Sequence, residues 1–225
     1  MDWQALILTL KLDLVVCALL VLIGVPLAFW LAFWQWRWKF LVEAVVALPL
    51  VLPPTVLGFY ILLALGPHSP FGKIYERLRG HGLPFTFEGL AVASVIYSLP
   101  FMVQPVLAAF TSVDPKLISA SAVLGASRVR TFLKVVLPLS MSGLLTGLIL
   151  TFAHTLGEFG VVLMVGGNIP GSTRTVSISI YDNVQALDFS SAGQTSLLLL
   201  AASFLILSLV YGLNRKQPIL WPTKH

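Results

Sequence analysis

Glu158 follows His154 by one helical turn, so a helix would set a carboxylate and an imidazole on one face. The run around them, Leu139 to Val165, is mostly apolar. A carboxylate at membrane depth is a functional candidate by default. Two readings stand side by side. Glu158 packs a gate or the helices around a solute pathway, or it lies near the outer interface, satisfied by His154 or a partner helix. Gln104, beside Pro105, is a weaker polar candidate for which core hydrogen bonding counts equally. No catalytic pattern accompanies these residues. His68, His81 and His225 fall in loops and at the terminus, and the serines lack a nucleophile elbow or a lysine partner. No Gly-Lys-Ser/Thr phosphate loop occurs, so any ATP used is hydrolysed by another chain. No Cys/His cluster has metal-site spacing, and the single Cys17 excludes an intramolecular disulfide.

The elements that must hold these residues are membrane spans. Of the 225 residues, 57% are hydrophobic and 10% charged, and the mean hydropathy is +0.92. Soluble domains carry roughly 25% charged residues, so a soluble enzyme, a disordered chain and a nucleic-acid module are excluded. The net charge of +5 is then read as basic loops held against a membrane rather than as a nucleic-acid surface. Windows of about 20 apolar residues predict an all-α membrane protein, one domain over residues 1–225, with five spans near 12–33, 42–65, 89–110, 139–165 and 192–213. The first is too long and its leading segment too weakly basic for a signal peptide, so it is expected to stay in the mature protein. Nine Lys and Arg fall on one side and five on the other. The positive-inside rule then puts the amino terminus outside and the carboxyl terminus in the cytoplasm. Outside, Pro67–Glu88 and Gly166–Ser191 form loops. Asn168-Ile169-Pro170-Gly171 marks a turn, and Ile180, Val184 and Leu187 suggest an interfacial helix.

Helix breakers interrupt the spans: Gly24 and Pro26 in the first, Pro49, Pro53 and Pro54 in the second, Pro100 and Pro105 in the third. Each proline removes a backbone donor and kinks its helix. In lipid such breaks persist where neighbouring helices or a wet cavity satisfy the freed carbonyls. Plain structural kinking is the competing reading at any one proline, and the clustering at Pro49–Pro54 favours function there. The cytoplasmic segment 111–138 reads as two short helices. Ser119-Ala120-Ser121 and its small neighbours come first, then Gly125, which permits a sharp turn or a close approach. An amphipathic run ending in Leu137-Pro138 follows, with Phe132, Val135 and Val136 on one face and Arg128, Arg130 and Lys134 supplying charge. Such a pair fits a partner's groove; a membrane-surface amphipathic loop is the alternative.

This segment resembles the coupling motif of ABC-importer permease subunits, a Glu-Ala-Ala triplet, a Gly four residues on and an Ile-x-Leu-Pro close. Ala120, Gly125, Val135, Leu137 and Pro138 take motif positions, whereas Ser119 replaces the glutamate and Ser121 the second alanine. Losing the acid removes a charge expected at the subunit contact. The stretch Leu48 to Gly58, around Pro53-Pro54-Thr55, looks like the second-span signature of molybdate permeases. Leu156-Gly157-Glu158-Phe159-Gly160, followed by Gly167-Asn168-Ile169-Pro170-Gly171, Thr173, Thr175 and Tyr181, looks like their fourth-span and outer-loop signature. Sulfate permeases share part of it.

The resemblance implies an inner-membrane permease of a prokaryotic importer. It works as a homodimer with two ABC ATPase subunits and a periplasmic or extracellular oxyanion-binding protein, within membrane lipid and without nucleic acid. ATP and magnesium belong to the ATPase, and this chain binds no cofactor and no metal. Ser119, Ala120, Ser121, Gly125, Ala126, Arg128, Phe132, Leu137 and Pro138 would couple it to the ATPase. Pro53, Pro54, Thr55, His154, Thr155, Glu158 and Asn168 would line the pathway or gate. Glu158 would repel an anion and is assigned to gate packing, while hydroxyls and backbone donors near Thr55 or Thr155 would meet molybdate. Sulfate or tungstate is the alternative cargo. A stand-alone channel or ion-coupled carrier would need ionisable residues within the spans or inverted repeats; only Glu158 and His154 qualify, and no repeat is present. A signalling or scaffold protein would not need the coupling segment.

Overall fold

In the computed structural model, which describes residues 2–214, every regular element is helical among the described residues. The basic residues Arg215, Lys216 and Lys224 used for orientation lie outside that range. Helix α1 (Trp3–Phe33) starts where Asp2 accepts the Ala5 N–H at 3.0 Å, nine residues before the expected start of the first span. At 1.5 Å per residue it is about 46 Å long, more than the roughly 30 Å hydrocarbon layer. The interruption expected at Gly24 and Pro26 is absent, and α1 runs through both. Gly24 serves packing instead, since a Cβ there would lie 3.0 Å from Met102 Cγ. Likewise α5 (Phe87–Thr111) is continuous through Pro100 and Pro105.

The second span is a correction of a different kind. It divides into α2 (Lys39–Val51) and α3 (Pro54–Leu65), bent by 118°. Pro53 and Pro54 cause the break, because a residue preceding proline is pushed out of the α region, and Leu52 and Pro53 are both extended (ψ 137° and 136°). Neither piece is long enough to cross alone. Pro49, by contrast, sits inside α2 without ending it. Ser69 caps α4 (Pro70–Arg79) through the Gly72 N–H at 2.8 Å, and Thr86 caps α5 through Gly89 at 3.1 Å.

Segment 111–138 and its continuation fold as α6 (Pro115–Val123), α7 (Arg128–Thr131), one π-helical turn (Phe132–Val136) and α8 (Leu137–Leu139). The fourth span is α9 (Met141–Leu156) and α10 (Gly160–Gly166), separated by Gly157–Phe159; α9 leaves the cytoplasmic helices at 69°. Helix α11 (Val176–Gln185) follows the 167–175 loop, and α12 (Phe189–Asn214) is the last span. A helix forms where Ile180, Val184 and Leu187 suggest one, though Leu187 lies past its end with φ +60°. Its buried residues are Val176, Ile178 and Ser179, while Val184 and Leu187 are exposed.

Helix α5 is the axis of the fold, packed along α1 on one side and α9 on the other, while α10 rests on α3. Leu12, Val16 and Leu20 of α1 meet Met102, Val103 and Val106 of α5 in the main core. Large apolar side chains elsewhere face outward, among them Leu22, Val51, Leu197 and Phe204. In water a monomer rarely exposes such area, and a bilayer is its natural solvent.

Candidate functional site

Two regions carry the sequence-derived candidates. In the first, around segment 111–138, no residue of α6 is buried, and Val123 and Leu124 at its tip are 88% and 86% exposed. Gly125 then reverses the chain with φ +75°, and the space around its Cα is open, so the requirement there is conformational. Ser127 starts α7 by accepting the Arg130 N–H at 3.3 Å. The two departures from the coupling motif have visible partners. Ser121 shares a 2.6 Å hydrogen bond with Thr131, tying α6 to α7 across the turn, and Ser119 donates to the Pro115 carbonyl of its own helix at 3.0 Å. Ala126 is half-buried, Arg128 exposed, and Leu137-Pro138 opens α8 directly after the π-turn.

Phe132 is the anchor of this segment. Its ring centroid lies 4.8 Å from Phe29 of α1 and 6.0 Å from Phe110 of α5. Such pairs contribute about 0.5–1.5 kcal/mol each beyond area burial. The next contacts continue the linkage: Ser140 Oγ donates to the Ala109 carbonyl at 3.3 Å, and Gly143 lets α9 lie directly against Ala109 and the Pro105 carbonyl. The exposed helix pair is thereby fastened to the inner ends of α1, α5 and α9.

The second region centres on the two breaks. A Cβ on Gly160 would lie 2.7 Å from Pro54 Cβ, so the bend of α2–α3 and the gap between α9 and α10 abut. Pro53 and Thr55 are exposed at this junction and Pro54 is half-buried. His154 and Glu158 do not pair. The imidazole Nδ1 is 2.9 Å from Ser98 Oγ, and its ring stacks on Phe101 at 3.9 Å. Thr155 Oγ1 meets the same Ser98 hydroxyl at 2.9 Å. Glu158 lies past the end of α9, 4% exposed, with neither carboxyl oxygen hydrogen-bonded among the described residues. The helix ends at Leu156, and the turn at Gly157 carries the carboxylate away from the histidine. Gln104 is exposed and, with Glu43, lines an open groove of ≈ 550 Å³ between α1, α2 and α5.

Asn168 stands apart from this junction, in an outer ion network. It donates to Asp182 at 2.5 Å and accepts from Arg174 Nε at 2.6 Å. Arg174 pairs with Asp182 at 3.2 Å and lies 3.9 Å from Asp2, the cap of α1. Sequence reading missed this network, whose members are separated along the chain and carry no shared pattern. It also missed Asp13, fully buried in α1 with both oxygens lacking a hydrogen-bond partner. The signal was present, an acid between Leu12 and Leu14 in an apolar run, the same signal that marked Glu158.

Among the described residues no base is poised on a nucleophile. Two helix breaks abut, and an exposed helix pair is fastened to the core. The model of the family described as "Binding-protein-dependent transport system inner membrane component" matches residues 24–217. The chain is 49% identical to the molybdenum transport system permease protein of Azotobacter vinelandii, over 95% of both chains. It is 35% identical to that of Escherichia coli K12, over 93% of this chain and 91% of the other. A sulfate transport system permease protein of Salmonella typhimurium is 31% identical over 86% of this chain and 69% of its own length. Among solved structures, a bacterial alginate ABC transporter in complex with its alginate pentasaccharide-bound periplasmic protein superposes with a TM-score of 0.75 at 18% identity, covering 95% of this chain and 78% of the other.

Proposed function

Because the chain belongs to the family of inner membrane components of binding-protein-dependent transport systems, we propose that it is the multi-pass permease subunit of an ATP-driven importer of molybdate. Near-full-length similarity to molybdenum permeases carries the choice of cargo. In this reading the exposed apolar tip at Val123 and Leu124, with Gly125 behind it, seats in a separate ATPase, which supplies ATP and magnesium chemistry. One chain has too few spans to enclose a gated path, and a symmetric pair solves this with a self-complementary interface. An external binding protein delivers the oxyanion, the amino terminus faces outside and the carboxyl terminus the cytoplasm. ATP binding closes the ATPase pair and pulls on α6–α7, and the abutting hinges at Pro54 and Gly160 open outward; release of phosphate returns the chain inward. Only partners that contact the two states differently can drive such an exchange.

Beyond Lys11, which lies over the Phe87 ring, and Lys39 at the start of α2, the spans carry no Lys or Arg, which favours weak handling of the anion by hydroxyls and backbone donors, Thr55 being the one exposed at the hinge. Selectivity then rests mainly with the binding protein. The sulfate relative keeps sulfate as the competing cargo. Uptake of labelled molybdate by a deletion strain carrying this chain with its operon partners, measured against excess sulfate, decides between them. Molybdate should accumulate despite the sulfate. Accumulation of sulfate without molybdate would overturn the reading.

A further inference from the structure

Asp13 and Glu158 are the acids buried in the helical bundle, 0% and 4% exposed, and the four carboxyl oxygens have no hydrogen-bond partner among the described residues. Burying an unpaired carboxylate in an apolar interior is prohibitive; it must be neutralised. Among the described residues no Lys or Arg pairs with either acid. Lys11, two residues from Asp13, is exposed and lies over the Phe87 ring at 4.6 Å from its centroid. Arg174 is held by Asp182, Asn168 and Asp2. A second protomer or an ATPase cannot reach side chains so fully enclosed.

Helix register brings the two acids to one level of the bundle. Contacts of Gly143 with Ala109, Gly147 with Met102 and Thr155 with Ser98 show that α9 runs antiparallel to α5. One turn beyond Ser98, Ser94 therefore comes level with Glu158, and its hydroxyl faces that carboxyl without reaching hydrogen-bond geometry. Contacts of Lys11 with Phe87 and of Gly24 with Met102 show that α1 runs parallel to α5, which puts Asp13 within a turn of Ser94. Ser94 is itself 0% exposed and unpartnered, as is Thr151 of α9, seven residues before Glu158. The other titratable groups at this level are Cys17 on α1, Tyr97 on α5 and His154 on α9, the last occupied by Ser98.

We infer that Asp13, Ser94 and Glu158 form an internal site for a hard cation, set between α1, α5 and α9. Carboxylate and hydroxyl oxygens suit Na⁺, K⁺, Mg²⁺ or Ca²⁺ rather than a transition metal. No three His, Cys, Asp or Glu come together among the described residues to favour the latter. Glu158 lies within the Gly157–Phe159 break, so occupancy would brace that hinge directly. It is independent of which oxyanion the permease carries.

The test uses the full chain in lipid nanodiscs, unfolded thermally in choline, sodium, potassium, magnesium or calcium chloride at equal ionic strength. One of the metal cations should raise Tm saturably, by about 5–10 °C at a hundredfold excess over Kd. D13N and E158Q should abolish that rise, and S94A should weaken it at least tenfold in Kd. Equilibrium binding of the radioactive cation to the unmutated chain, chased by unlabelled cation, gives an answer even where a variant does not fold. No difference from choline together with no saturable binding overturns the site and assigns each carboxyl its own proton. So does an undiminished response in D13N and E158Q.

Discussion

Replacing Gly125 separates two reasons for a glycine in the coupling turn, its backbone angle and its missing side chain. The backbone stands at φ +75°, and a Cβ would meet nothing within 4 Å. Within the chain, then, the whole penalty of a substitution is conformational. A left-handed conformation costs an L-residue about 1–2 kcal/mol, which shifts the population of the turn about 5–30-fold. Asn tolerates this region through local hydrogen bonds, whereas a β-branched residue is a genuine outlier there. Uptake of molybdate into vesicles by the assembled transporter, with copurification of the ATPase measured in parallel, should therefore rank Gly125→Asn above Gly125→Ala above Gly125→Val. The Ala variant should lose roughly fivefold or more in transport. Equal and complete loss in all three would refute the backbone account and mean that the partner's surface needs the space itself. Wild-type transport by the Val variant would remove the turn from coupling altogether.

Phe132→Ala removes two ring contacts, at 4.8 and 6.0 Å, worth about 1–3 kcal/mol together; ATP hydrolysis by the reconstituted transporter should persist while molybdate moved per ATP falls severalfold. Gly143→Ala drives a methyl into Ala109 and the Pro105 carbonyl, an overpacking of about 1–3 kcal/mol. It should lower the unfolding temperature, and Ala109→Gly should restore it. Arg174→Ala leaves Asp182 and Asp2 without their cation. At a partly exposed site the loss is about 1 kcal/mol, seen as faster hydrogen exchange over 168–176 with no change over 125–139.

The apolar runs made the spans legible because the bilayer demands them, and Pro53-Pro54 marked the break because two adjacent prolines cannot continue a helix. The turn at Gly125 was legible for the same local reason. The rest depends on what packs against what. Pro26 sits inside an unbroken α1, and Gly24 serves the close approach of Met102, a contact between residues far apart in the chain. Likewise, one-turn spacing put His154 and Glu158 on one face only if the helix continued, and it stops at Leu156. Asn168 read as a pathway residue from its motif, yet its hydrogen bonds go to Arg174 and Asp182. Periodicity says nothing of where a helix ends inside a span, or of which loops meet outside it.

Close packing decides where movement can occur. Gly143 and Gly147 bring α9 against the backbone of α5, and Gly24 brings α1 against its other side. Helices in such contact do not slide without opening voids, because packed interfaces are bistable rather than continuously deformable. Phe132 and Ser140 fasten the cytoplasmic lever to this same trio. In the proposed cycle a pull on α6–α7 would therefore move α1, α5 and α9 as one body, leaving the change in shape to the segments that interrupt helices, Leu52-Pro53 and Gly157–Phe159. These two meet at Pro54 and Gly160. A hinge at one cannot turn without displacing the other, which makes the junction of the two breaks, rather than any single polar side chain, the element that both the ATPase side and the outer side can bias.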